Sequence, residues 1–582
     1  MILDKIINII NEIEAHLGRC KCTYAKLPNL VLRKYNGYNF IAGWEIDTAI
    51  SFESSTIKLH VLIDALFPHT EIKFAINISD KYLKWPHVEK QNILCLELPS
   101  KEINQEITDY FVYCIKAAND FIKKIVSGDM DEDFIKEFLS YWDKKVNNKV
   151  EYTTILNWPN TLEKAVYVEV EGKEKVVLIG EDQEKLRCWL KNFLPTVHKR
   201  FSFSKIFIIK LDNYSLIPED YPDTISDILA LVSECSSHLI KDIEQSIWQN
   251  KRTRILLAIP DQQVQYGLAG ISIMNPGSVK GFRKGVSLPE NIKNGIYSNN
   301  KITRHNVKRA EPAWVHGRYV NPHVTMLHEK SICFIGCGSL GSGVAKLCAA
   351  AGIGNITLID HDNLSWANTS RHELGGYLVG KNKAEALEHI LTASFPNINV
   401  TSYNLTFENV YKHKANILKN HDLIISTTGN WKTECLLNEL IQSGELPPAI
   451  LGWVESFALV GHTILISKEG KSLLDYFHNK NYFNNCITSP DSTQNYREMA
   501  CGNYFQPYGY IELVSTQTLV ADTVLDFILG KITPHEYRCW IAQKKKFIEN
   551  KVVLTDHGEK IIAQNGYGIQ MENPTIPKPE LK

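Results

Sequence analysis

The sequence predicts a multidomain protein that joins α+β and α/β units, and three observations carry that expectation. A chain of 582 residues is longer than one ordinary core accommodates, so two or three domains are expected. Between residues 331 and 383 a strand, turn, helix, strand unit is legible, with a glycine-rich turn at its centre. Towards the N-terminus, strand-like runs are enclosed by amphipathic helices, which is an α+β order.

Residues 1–150 open with MILDKIINIINEIEAHLGRC, whose acids stand among apolar residues at helical spacing; this reads as a packed surface helix and not a signal peptide. Strand-like runs follow at 30–33, 44–52, 58–63 and 71–76, then the segment WPHVEKQNILCLEL at 85–98, then helices within 102–126 and 131–147. The middle, 151–306, alternates strands with helical stretches and offers no phosphate loop, ligand cluster or catalytic pair, so it is expected to be an α/β spacer or docking domain. Its stretch 274–300, rich in Gly, Asn and Ser, reads as a loop or linker. A second α/β domain spans 307–572, with later strands near 422–427, 449–454 and 462–466 and an irregular stretch at 477–510 before a closing helix. Long irregular stretches inside compact domains usually carry function, which marks this one for chemistry. The tail 573–582, NPTIPKPELK, is proline-rich and expected to be mobile.

Composition excludes several classes. A net charge of -1 and a pI near 7.0 give no broad basic field for nucleic acid or an anionic membrane. No apolar run approaches a membrane span. Thirteen cysteines without paired metal-ligand spacing argue against a disulfide scaffold or zinc ribbon and point to a reducing cytoplasm, where any thiol can be a nucleophile.

The central turn reads Gly336-Cys337-Gly338-Ser339-Leu340-Gly341, and the second strand ends at Asp360. Glycines let the backbone approach a phosphate, the helix N-terminus favours the anion, and the acid can accept from a ribose. Alone this fingerprint fits a nicotinamide dehydrogenase best. Asn368, Arg371 and Lys383 follow closely, and three such donors suit a triphosphate better than a nicotinamide cofactor. Arg371 and Lys383 are equally readable as solvated surface charges.

This segment resembles the adenylation domain of the ThiF, MoeB and ubiquitin-activating superfamily, a Rossmann-like fold. The resemblance implies that Asp360 holds the ribose of ATP while Asn368, Arg371 and Lys383 bind phosphates over the Gly336, Gly338 and Gly341 loop. It also implies an arginine lent by a dimer partner, for which Arg318 is the candidate. The family's third strand usually ends T-D-N with a magnesium-binding aspartate; here the run is STTGN, with Gly429 in that place, so Mg2+ ligation falls to Asp362 or Asn430. Ubiquitin-activating relatives carry a thioester cysteine in the crossover after the last strands, which puts Cys501 forward, with Cys486 as the alternative in the same stretch. The other cysteines of this half read as packing residues.

The segment around Cys95 resembles the active site of ubiquitin-conjugating enzymes, with His87 eight residues ahead; the order Pro86-His87 departs from the family's His-Pro-Asn. His87 reads as orienting or polarising the loop, or as a structural histidine. A conjugating-like domain ahead of an activating domain resembles fused bacterial enzymes of CBASS antiphage systems. That resemblance implies activation of a protein C-terminus, that of a cGAS/DncV-like nucleotidyltransferase (CD-NTase), capture on Cys501, transfer to Cys95 and ligation to a target amine by a homodimer. A sulfur-carrier adenylyltransferase, a nicotinamide oxidoreductase and a non-catalytic scaffold remain open alternatives.

Overall fold

The computed structural model describes residues 2–572 except 21–22, 147, 149, 172–174, 195–200, 213, 261–265, 278–287, 478–482, 490–495, 498–503, 506 and 533–535. The first unit begins with helix α1 (Ile2–Arg19), which buries Ile6, Ile13 and Leu17 at helical spacing. Strands β1 (Tyr24–Lys26), β2 (Phe40–Phe52), β3 (Ser55–Asp64) and β4 (Lys73–Ile76) form an antiparallel meander in sequence order. Helix α2 (Ile107–Ser127) lays Tyr110, Phe111, Cys114, Ala118 and Ile122 on that sheet, with Phe111 edge-on to Trp44 at 5.4 Å between ring centres. Gly128 ends it in the left-handed conformation. The run at 30–33, expected as a strand, is a single helical turn starting after Pro28; four apolar residues carry no periodicity that separates the two.

Two short helices, α3 (Asp133–Lys136) and α4 (Phe138–Lys145), lead to the middle unit. Its strands are β5 (Glu151–Thr154), β6 (Lys164–Glu171), β7 (Lys175–Gly180), β8 (Phe203–Lys210), β9 (Arg252–Pro260), β10 (Tyr266–Met274) and β11 (Thr303–Arg309). They close into a barrel in the order β10-β11-β5-β7-β6-β8-β9, mixing parallel and antiparallel pairs. The last strand runs to Arg309, across the boundary expected at 306, and the stretch expected as a linker holds a helix, Glu290–Asn299. Inside the barrel, Arg254 is fully buried and donates to the Tyr152 hydroxyl at 2.6 Å and to Glu169, over two tyrosine rings. His305 donates from Nδ1 to Val150 O at 2.9 Å and takes the Ser272 hydroxyl at Nε2; burial lowers it to about 4, so it stays neutral.

The barrel is fastened to the C-terminal unit through the helix Gln183–Phe193. Trp189 Nε1 donates to Asn397 Oδ1 at 3.1 Å, Asn192 Nδ2 to Pro396 O at 3.1 Å, and Asn397 in turn to Ala310 O at 2.6 Å.

The C-terminal unit is one eight-stranded sheet built from β12 (Ser331–Ile335), β13 (Asn355–Ile359), β14 (Asn399–Tyr403), β15 (Leu423–Ser426), β16 (Ala449–Val454), β17 (Val460–Ile466), β18 (Tyr537–Ile541) and β19 (Ile569–Glu572). The order is β14-β13-β12-β15-β16-β17-β18-β19, parallel through β16 and antiparallel after it. Near-continuous apolar strands fit burial on both faces, and the order reverses around β12, where such sheets bind ligands at their strand ends.

Candidate functional site

At that reversal, β12 runs into the glycine turn and helix α5 (Ser339–Ala351). Gly336 takes φ +89°, a conformation L side chains rarely adopt, and Thr427 Oγ1 donates to its carbonyl at 2.9 Å. A Cβ on Gly341 would stand 2.1 Å from that carbonyl oxygen, so only glycine lets the helix start this close to the turn. Gly338 precedes the helix, and among the described residues no side chain caps it, which leaves the first amides available to an anion.

The turn opens on a cleft of about 720 Å³ lined by Gly336, Gly338, Ser339, Asp360, Asp362, Lys383, Glu408, Thr427 to Asn430, Trp453 and Tyr508, among others. Asp360 braces it: Oδ2 accepts from Cys337 N at 2.7 Å and Oδ1 from Asp362 N at 2.8 Å. Lys383, its side chain 11% exposed, donates to Asp362 Oδ2 at 2.9 Å. The size of the cleft, the free amides and the cation suit a nucleotide. For magnesium, Asp360, His361 and Asp362 form a close group. Two carboxylates suit a hard cation, and Asp362 would have to leave Lys383 to reach one. Asn430 is engaged elsewhere, its Oδ1 accepting from Lys432 N at 3.0 Å to cap the helix Trp431–Gln442.

Gly336, Gly338, Asp360, Asp362 and Lys383 therefore meet at one cleft. Gly341 packs behind it. Asn368 does not line it: Oδ1 accepts from Ser365 N and Oγ, closing a capping box on the turn 366–368. Arg371 is half-removed too, donating to Ala367 O at 2.9 Å and lying 5.1 Å over the ring of Tyr508, which does line the cleft. Arg318 is exposed at φ +45° and away from the lining. Three further residues were not singled out in the sequence. His372 donates from Nε2 to Cys337 O at 2.7 Å, Asn382 donates to the carbonyls of Asp360 and Asp362, and Tyr508 meets Ser339 Oγ at 3.1 Å.

Cys501 lies outside the described residues. Cys486, its alternative, points its thiol at Thr488 O (3.0 Å), and burial beside Glu455 pushes its pKa far up. That environment protects a thiol rather than activating it, so Cys486 does not fit a nucleophile's role. The segment around it is pinned: Glu455, its side chain 7% exposed, accepts from His462 Nε2, Ile487 N and both donors of Thr488.

At the other end of the chain, Cys95 is exposed. Residues 87–95 fold back on themselves, with Cys95 N donating to His87 O at 2.8 Å and Glu89 N to Ile93 O at 2.7 Å around a tip where Gln91 and Asn92 take positive φ. Asn92 is buried and holds the preceding loop, accepting from Lys81 N and donating to Ile78 O. His87, at φ +55°, presents its ring to the thiol. A side-chain hydrogen bond with Cys95 and a second to Asp133 Oδ2, 3.0 Å from Nε2, outweigh burial and, with the charge of Glu137, hold the imidazole up at about 9. The two acids were invisible as partners in the sequence; their only signal was the i, i+4 spacing in DEDFIKEF.

The geometry is matched by the comparisons with known proteins. Residues 319–546 match the ThiF family and residues 25–151 match Prokaryotic E2 family B. The molybdopterin-synthase adenylyltransferase of Escherichia coli (strain K12) is 30% identical over 122 residues, 21% of this chain and 48% of that protein. An ATP-dependent ubiquitin transferase-like protein Cap2 from Enterobacter hormaechei subsp. hoffmannii (strain UCI 50) is 35% identical over 104 residues, 18% of this chain and 17% of that one. A protein of the same name from Pseudomonas aeruginosa (strain BWHPSA011 / Pa011) is 22% identical over 450 residues, 72% of this chain and 75% of its own. The chain thus spans about half the length of the first relative and less of the second. In chain order, a region similar to Prokaryotic E2 family B is followed by one similar to the ThiF family.

Proposed function

We propose that this chain activates a protein C-terminal carboxylate with ATP and passes it, as a thioester, to Cys95 for ligation to an amine. The observation that carries the reading is a nucleotide-sized cleft behind a glycine turn, in a chain whose other end exposes a thiol against an imidazole. The carboxylate attacks the α-phosphorus of ATP, pyrophosphate leaves, and the mixed anhydride is opened by a thiol, for which Cys501 is the candidate. Gly338, Ser339 and the helix amides would receive phosphates, with Lys383 and Arg371 as cations and Asp360 at the ribose. Mg2+, held at Asp362, would offset phosphate charge. Arg318 would serve across a homodimer. The donor would be a CD-NTase C-terminus and the setting antiviral defence in the cytoplasm, as the resemblance to CBASS enzymes implies. The middle domain, 151–306, would serve as the docking unit between the two ends.

The test is incubation of the full chain with ATP, magnesium and candidate donor, followed by non-reducing gels. Reducible adducts that vanish separately in Cys501→Ala and Cys95→Ala support the relay. Product formation that survives Cys95→Ala transfers the reading to a sulfur-carrier adenylyltransferase, and no adduct in the wild type ends it.

A further inference from the structure

The carboxylates that face His87 do not come from the element that carries Cys95. Asp133 opens helix α3 and Glu137, four residues on, is the residue that joins α3 to α4. Phe134, Phe138, Tyr141 and Trp142 of these two helices are all buried in one cluster with barrel residues Phe207, Ile209, Ile255, Leu257 and Ile271. Trp142 Nε1 donates to His305 O on β11 at 3.1 Å, and the Tyr141 hydroxyl accepts from His87 N at 2.9 Å. The helices are therefore rooted in the barrel and reach across to the thiol's histidine. Among the described residues, the charged or titratable groups that meet the His87 ring or backbone are Cys95, Asp133, Glu137 (Oε2 3.8 Å from Nδ1) and Tyr141, with Lys136 behind, 3.8 Å from Asp133. The Asp133 side chain is 25% exposed and that of Glu137 47%, so the first is the closer-held partner.

We propose that Asp133 and Glu137 are positioning residues for the Cys95 thiol, acting through His87, and that the barrel thereby sets how nucleophilic that thiol is. This rests on the reading of Cys95 as an acyl-accepting thiol. The two carboxylates hold the His87 imidazole in its charged form, and that imidazolium favours the Cys95 thiolate, whose proton goes to solvent. The Cys95 sulfur then bonds to the thioester carbonyl carbon, the bond from that carbon to the donor sulfur breaks, and the departing thiolate takes up a proton from solvent. The acids set the orientation and charge of the ring; they touch no reacting atom.

The probe is iodoacetamide, used on the full-length protein without ATP or donor. Alkylation of the Cys95 peptide is followed by mass spectrometry from pH 5 to 10, with exposed Cys20 and Cys188 as internal references. In Asp133→Asn/Glu137→Gln, Cys95 is expected to alkylate about tenfold more slowly at pH 7, with its profile moved to higher pH and the references unchanged. Asp133→Glu restores most of the rate. A Cys95 profile identical to wild type in the double variant overturns the proposal. If that variant does not fold, His87→Asn, which tolerates the positive φ, must give the same slow profile, and a wild-type profile there overturns it equally. Failure of the thioester assay with a shifted alkylation profile would count against the proposed function and leave the tuning of the thiol standing.

Discussion

Replacing Gly341 by alanine should damage the glycine turn from within, whereas the same change at Gly338 should damage only what binds there. A Cβ at 341 would lie 2.1 Å from Gly336 O and 2.5 Å from Thr427 Oγ1. Neither neighbour can retreat freely: Gly336 N donates to Ile359 O at 2.9 Å, and Thr427 Oγ1 is itself bonded to Gly336 O. Overpacking of this kind costs roughly 1–3 kcal/mol, equivalent to a fall in Tm of roughly 2–12 °C for a domain of this size. At Gly338 a Cβ meets nothing within 4 Å and φ is negative, so Tm should match wild type. The added methyl would instead occupy the cleft, weakening ATP affinity by about tenfold or more. Calorimetric melting and titration with ATP check both variants. A Gly341→Ala protein that melts with wild type, or a Gly338→Ala protein that falls equally far, would refute the assignment of these two glycines to packing and binding.

Glu455→Ala should cost about 3–5 kcal/mol, because it strips the carboxylate from buried His462 and from the donors of Ile487 and Thr488; limited proteolysis should then cut near residues 484–489, and resistance equal to wild type would contradict that anchoring. Burial holds the Glu434 carboxyl up to about 7 from an ordinary 4.5, so the folded state keeps a proton that the unfolded chain releases, and stability falls as pH rises through that window. Glu434→Gln, which can still accept from Thr428, should be more stable than wild type at pH 8 by up to about 3 kcal/mol and equal to it near pH 4, as measured by urea unfolding. Cys486 should escape iodoacetamide at pH 8 in native protein and label on unfolding, while Cys95 labels in both states; native labelling of Cys486 would remove the case against it.

What was legible in the chain is what short range determines. Gly336 and Gly341 declared the turn because backbone geometry demanded them within six residues, and Asp360 follows at a spacing fixed by one helix and one strand. His87 could be tied to Cys95 because a tight return of eight residues joins them. Asn368 shows the limit of such reasoning. An asparagine beside a nucleotide motif looked like a phosphate donor, yet local competition for backbone amides made it a cap. Asp133 and Glu137 lay beyond reach since their meeting with His87, 46 and 50 residues away, depends on where the barrel holds α3 and α4. The barrel itself was hidden because β5 pairs with β11 about 150 residues later, and alternation of strands with helices says nothing of closure.

Closure also has a mechanical meaning. With β9 bonded to β10, every barrel strand has neighbours on both sides, so the domain cannot fan or shear one strand at a time; it is a rigid post between the two ends of the chain. One end is latched to it at α3 and α4, the other through Trp189 and Asn192. If acyl transfer runs along a single chain, the travelling cargo's own tail must help cross the span, with the post fixing the distance. A donor shortened by a few residues before its C-terminus would then be activated as before and fail to arrive.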